Sequence, residues 1–134
     1  MADHSFEEHV GEVRLLVRAG TLAELFAESG RALAELMTDA AGAPTGATEH
    51  VVVRARDREA LLVEWINELV YRSETRKKVY TEFDVERVDD HELSVAAHGV
   101  DATDLRTAVK AATFHDLRID EGPEGFRASV VLDV

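Results

Sequence analysis

Cysteine is absent from the chain. That removes thiol catalysis, disulfide bonds and thiolate metal sites, and it suits a reducing compartment. Proline occurs only twice, and AAGAPTGAT (40–48) is the one loop rich in Pro, Gly and Thr; it is too short to separate domains. No apolar run approaches membrane-spanning length, and the acidic start MADHSFEEHV lacks the apolar centre of a signal peptide, so a cytoplasmic protein is expected. Basic residues are scarce as well: 15 Lys and Arg stand against 27 Asp and Glu, a net charge of −12. Nucleic-acid binding relies on basic side chains displacing phosphate counter-ions, so direct RNA or DNA binding is disfavoured. RKK (76–78) is the only basic cluster. The nucleotide-binding glycine loop, the nucleophile elbow and HExxH are missing too.

What is present fits one globular domain, residues 1–134, with 46% hydrophobic content and enough length to fold without disulfide or metal. The acidic charge suits divalent cations or a basic protein partner, or serves solubility alone. VRLLVR (13–18) reads as an early strand. TLAELFAESGRALAELM (21–37) follows with Leu22, Leu25, Phe26, Leu33, Leu36 and Met37 at helical spacing and a Thr21/Glu24 capping box. HVVVRA (50–55) is a second strand. Asp57 then caps a helix whose stripe runs through Leu61, Leu62, Trp65, Ile66, Leu69 and Val70, with Tyr71 on or beside it. After about residue 78 the period becomes two: VYTEFDVERV (79–88), a turn at DDHE, LSVAAHGV (93–100), VKAATFHDLRI (109–119), a turn at EGPEG and FRASVVLDV. Strand, helix, strand, helix and four strands predict an α+β two-layer domain. Its two helices should pack on one face of a mixed, largely antiparallel sheet.

The final strand places Phe126, Ala128, Val130, Leu132 and Val134 on the core face, and Arg127, Ser129, Val131 and Asp133 on the other. Asp133 is thus expected off the core, beside the carboxylate of Val134, where negative oxygens repel one another. His115 and Asp116 suggest an acid/base pair, but strand neighbours point to opposite faces, and a structural histidine is the plainer reading. The six histidines lack zinc spacing; Asp and Glu oxygens suit Ca²⁺, Mg²⁺ or Mn²⁺ instead. His9 and Glu12 begin the first strand around the small Gly11, either as ligands or as solvated residues. Asp39 follows the first helix, where a negative charge is unfavourable without a neighbouring cation or hydrogen bond.

Together these stretches resemble the archease family over nearly the whole chain. EHVGE (8–12) stands where archeases carry a motif like EHTAD, and TLAELF (21–26) where they have a TLEEAF-type helix. ELMTD (35–39) matches ELM-x-D, LLVEWINELVY (61–71) matches LL-x-WLNELLY, and KAATFHDLRI (110–119) matches KAVTYHDLEI. Asp133-Val134 matches a terminal DV or DI. The resemblance implies a metal held by Glu12, Asp133 and Val134, calcium first, with magnesium or manganese as alternatives. His9, Asp39 and His115 would be outer-shell or partner-contact residues. Here Val, Gly and Glu replace the motif's Thr, Ala and Asp, and Glu12 is one methylene longer than the family's acid. The resemblance further implies an accessory protein, not itself a catalyst. Its partner would be an RtcB-type ligase joining RNA 3′-phosphate or 2′,3′-cyclic phosphate ends to 5′-hydroxyls in tRNA splicing or RNA repair. It would speed guanylylation of that ligase and permit repeated turnover. Two other functions compete: a small metal-dependent hydrolase using His115, and an acidic chaperone-like binding module.

Overall fold

A computed structural model describes residues 2–39, 46–102 and 108–134. Its elements run β1 (Asp3–His9), β2 (Glu12–Ala19), α1 (Leu22–Met37), β3 (Ala47–Arg54), α2 (Arg58–Arg76), β4 (Lys78–Val88), β5 (Glu92–Asp101), β6 (Ala111–Gly122) and β7 (Gly125–Asp133). Strands β1-β2-β7-β6 form one sheet and β3-β5-β4 another. The α+β class stands, but the single mixed sheet becomes two, and every described pairing is antiparallel. The reason lies in strand order. A parallel pair would need strands that bracket a helix to lie side by side. But β5 separates β3 from β4, which bracket α2, while β2 and β3, which bracket α1, lie in different sheets. Strands β1 and β7 occupy both sides of β2, and β3 pairs elsewhere.

Strand β1 is an element that the sequence reading missed. DHSFEEH contains one large apolar residue among charged ones and reads as an acidic terminus. Its two-residue connection Val10-Gly11 makes the hairpin, with His9 opposite Glu12. Gly11 sits at φ 78°, the left-handed region that such a tight turn requires of its second residue.

Both helices begin as their sequences predict. The Thr21 hydroxyl accepts from the Glu24 N–H at 3.1 Å, and Asp57 Oδ1 accepts from the Ala60 N–H at 2.8 Å. Their apolar stripes close on one core, to which both sheets contribute alternate residues. Trp65 is fully buried, donates Nε1–H to the Phe26 carbonyl at 2.9 Å, and meets the Phe83 ring edge-on at 5.5 Å. Gly30 makes room for that ring, because a Cβ there would lie 2.7 Å from Phe83. Tyr71 does not join this core: it is 60% exposed, one step round the helix from Val70 and past the edge of the stripe. On β2 the buried residues are Val13, Leu15, Val17 and Ala19; on β7 they include Ala128, Val130 and Leu132. Leu15 faces Val130 and Val17 faces Ala128 across the ladder, so the helix-facing side of β2 and β7 is apolar.

Candidate functional site

Alternation leaves the opposite side of the four-stranded sheet to polar residues, and the ladder arranges them in cross-strand rows. Residues directly opposite share a face with their side chains adjacent. The first row is His9, Glu12, Asp133 and Ala111; the next is Glu7, Arg14, Val131 and Thr113. Ser5, Leu16, Ser129 and Arg118 follow, and the last row is Asp3, Arg18, Arg127 and Asp120.

The first row brings together Glu12 and Asp133 from opposite ends of the sequence. Asp133 is exposed and Glu12 half-buried, so the sequence expectation that Asp133 lies off the core holds. Among the described residues neither carboxylate has an ion-pair or hydrogen-bond partner. The main chain here is tied on both sides: the Lys110 N–H donates to the Asp133 carbonyl at 2.8 Å, and the Val134 N–H donates to the Gly11 carbonyl at 3.2 Å. Val134 is thereby held against the β1–β2 turn. His9 is exposed at the row's edge. Two facing carboxylates with no ion-pair partner among the described residues form a hard-oxygen donor set, the chemistry that Ca²⁺, Mg²⁺ and Mn²⁺ prefer. Among the described residues no three His, Cys, Asp or Glu side chains form a metal cluster, so any ion here must also draw on main-chain oxygens or water.

Asp39 lies just beyond Thr38, the C-cap of α1, and is exposed.

His115 and Asp116 depart from their expected geometry. Regular alternation would send them to opposite faces, yet His115 Nε2 lies 3.2 Å from Asp116 Oδ2. The strand is not regular there. Between the pairs Thr113–Val131 and Arg118–Ser129, four residues of β6 stand against one of β7, and Asp116 adopts φ 52°. Such a bulge re-aims side chains. Arg14, which the sequence reading passed over, holds Asp116 at 3.2 Å and also reaches the Ser129 hydroxyl at 3.4 Å and Glu7 at 3.6 Å. Its only sequence signal was its position two residues after Glu12, on the same face of the strand. Phe114, in the same bulge, is 54% exposed and lies under the Arg56 guanidinium at 5.5 Å.

The basic cluster 76–78 is largely neutralised: Arg76 pairs with Glu49, and Lys78 with Asp101 at 2.8 Å, which lowers the Asp101 pKa. No helix among the described residues is long and apolar enough to cross a membrane.

An α+β domain of two antiparallel sheets, with paired carboxylates where the second and last strands meet, is the class that these features define. The Archease protein family (MTH1598/TM1083) matches residues 4–134, and the chain belongs to that family. It is 27% identical over 139 residues to the protein archease of Methanosarcina acetivorans, covering 98% of this chain and 95% of that one. To the protein archease of Methanothermobacter thermautotrophicus it is 30% identical over 119 residues, covering 84% and 85%. The solution structure of Methanobacterium thermoautotrophicum protein 1598 superposes with a TM-score of 0.80 at 27% identity, over 98% of both chains. A Thermotoga maritima crystal structure, described as an archease and possible chaperone, matches with a TM-score of 0.64 at 15% identity, over 96% of this chain and 94% of that one. That last likeness concerns the fold alone.

Proposed function

We propose that the chain is an accessory protein that activates an RtcB-type RNA ligase, promoting its guanylylation and repeated turnover in tRNA splicing or RNA repair in the cytoplasm. The observation that carries this reading is the unneutralised opposition of Glu12 and Asp133 at an exposed sheet end. Glu12, Asp133 and the main-chain oxygens of Val134 would hold a divalent ion, calcium first, with magnesium or manganese as alternatives. Once bound, the ion would supply positive charge and Lewis acidity at the edge of the protein, where a partner's nucleotide site can approach.

The chain's own residues prepare that edge. Hydrogen bonds from Lys110 and Val134 hold the strand end in place. Gly11 turns the chain tightly enough to bring its carbonyl to Val134. Arg14 fixes the Asp116 bulge, which presents His115 to a partner, and His9 stands opposite Glu12 in the same row. The −12 charge suits docking at the basic mouth of a ligase and keeps the protein from competing for its RNA. The hydrolase reading needs a deep pocket joining His115 to the carboxylates. The two cavities described in the structure lie at the other end of the sheet, around Arg18 and Arg127, and the His115 side chain is 70% exposed. The exposed setting of His115 thus favours the activator reading over the hydrolase one.

The test is multiple-turnover ligation by the source organism's own ligase, with and without this protein, alongside calorimetric titration with Ca²⁺, Mg²⁺ and Mn²⁺. Asp133→Ala should stay folded, weaken metal binding at least about tenfold through loss of one charged ligand, and lose stimulation in parallel. Glu12→Asp should retain both. Full stimulation by a folded Asp133→Ala protein would remove the metal-site mechanism. Wild-type protein that never stimulates the ligase would remove the activator function and leave the chaperone-like reading.

A further inference from the structure

The last row of the open face raises a separate question. Arg18 and Arg127 are direct partners across the β2–β7 ladder, and like charges so placed repel. Arg18 is held by Asp3 through Nε and Nη2 at 3.1 and 2.8 Å. Arg127 has a natural counter-ion in its β6 partner Asp120, but Asp120 is taken by Arg118 at 2.8 Å. Glu121 is taken likewise, by Arg58 at 3.1 Å, while Glu124 acts on Arg18. Among the described residues Arg127 makes no ion pair or hydrogen bond. In a protein with 27 acidic residues, a guanidinium left without one is conspicuous.

Two cavities meet at this point. One, of about 490 Å³, runs under the β6–β7 turn and is walled by Pro123 and Phe126. The other, of about 460 Å³, lies over β1 and β2 beside the half-buried Leu16. Asp3, Arg18 and Arg127 are the residues that both share. Each volume falls in the range of about 300–1,000 Å³ typical of small-molecule sites. A planar guanidinium fork matches a carboxylate or phosphate through two parallel hydrogen bonds, and the apolar walls on either side suit an uncharged body.

We propose that Arg127, with Arg18 beside it, binds a small organic oxyanion: a carboxylate or phosphate monoester whose apolar body lies in one of the two cavities. This site is distinct from the Glu12–Asp133 row; its two guanidiniums stand beside Asp3, and the cavity under the β6–β7 turn is also lined by Asp120, Glu121 and Glu124. Its ligand is compact, because an extended polyanion would meet the acidic surface surrounding it.

The experiment is a titration of the isotopically labelled full chain with phenyl phosphate, benzoate and inorganic phosphate, followed by NMR at backbone amides and arginine Nε–H groups, with sodium chloride at matched ionic strength as the control. Saturable shifts are expected at residues 3–5, 16–18 and 127–128 for at least one aromatic probe, and whichever aromatic probe binds tighter identifies the preferred head group. That probe should bind about tenfold tighter than inorganic phosphate, since its ring is removed from water. Arg127→Gln should weaken binding about tenfold while the melting temperature holds, and Arg127→Lys should retain an intermediate affinity. Shifts that track ionic strength without saturating, or equal affinity in Arg127→Gln, would overturn the proposal. So would inorganic phosphate binding as tightly as either aromatic probe.

Discussion

At one end of β2 and β7, Glu12 faces Asp133; at the other, Arg18 faces Arg127. Both are like-charge pairs on the open side of the same two strands, and both would be relieved by a ligand of opposite sign. They differ in what supports them. The carboxylate end is held by the main chain, through the Gly11 turn and the bonds to Asp133 and Val134. The arginine end is held by side chains and by a crowded hairpin: Asp3 clamps Arg18, and Gly125 of the β6–β7 turn presses against the end of β2. A site made of main chain tolerates changes at its side chains; one braced by side chains and a tight turn does not.

Alanine at the two turn glycines should break that comparison most strongly. Gly125 sits at φ 118°, and a Cβ there would fall 2.4 Å from the Ala19 carbonyl oxygen, so backbone must move against backbone. Gly125→Ala should cost about 3 kcal/mol. Gly11 is also left-handed, but nothing lies within 4 Å of its missing Cβ, so Gly11→Ala should cost only about 1 kcal/mol of backbone strain. Urea denaturation measures both, and equal costs would mean that the two ends are supported alike.

A smaller effect should come from pH. On the inner side of β1, His4 Nδ1 lies 2.6 Å from Glu28, and Nε2 approaches Glu35 at 2.5 Å. Glu28 is buried on α1 and is also paired with Arg31 at 3.0 Å. Burial disfavours the charged ring, but hydrogen bonds to Glu28 and Glu35 outweigh it and raise the His4 pKa above its ordinary 6.5. A raised folded pKa gives stability that is fully present below about pH 6.5 and is lost as pH rises through the folded value. His4→Gln should therefore cost about 1 kcal/mol at pH 5 and markedly less at pH 9. Since His4 adjoins Asp3, amide exchange should show β1 loosening at the arginine end first. A His4→Gln cost independent of pH would show that the ring acts by packing against Phe6, which it meets edge-on at 5.3 Å.

The smallest effects sharpen the symmetry. In metal-free, ligand-free buffer, Asp133→Asn and Arg127→Gln each relieve one like-charge opposition, and each should stabilise by no more than about 0.5 kcal/mol. A loss of stability in either, by thermal melting, would reveal a partner that its row does not contain.

Much of this architecture was legible in the chain. The helical stripes ending in Met37 and Val70, the caps at Thr21 and Asp57, and the period-two strands after residue 78 are local patterns. Each is set by nearest neighbours and by burial of one face. Alternation in the last strand also sufficed to place Asp133 off the core, and the motifs around Glu12 and Asp133 pointed to one site. The absence of cysteine, and an acidic surplus that leaves no broad basic surface, are composition alone.

Other features depended on tertiary pairing. Strand β1 is a strand because β2 offers it an edge, not because DHSFEEH has strand character. The bulge that turns Asp116 toward His115 exists because β6 carries extra residues against β7, a mismatch visible only once the register is known. Arg18 and Arg127 belong to strands at opposite ends of the sequence. Charge at each position is written in the sequence; which charges oppose one another, and which go without a partner, follows from strand order and register, because both depend on long-range hydrogen bonding that no local stretch encodes.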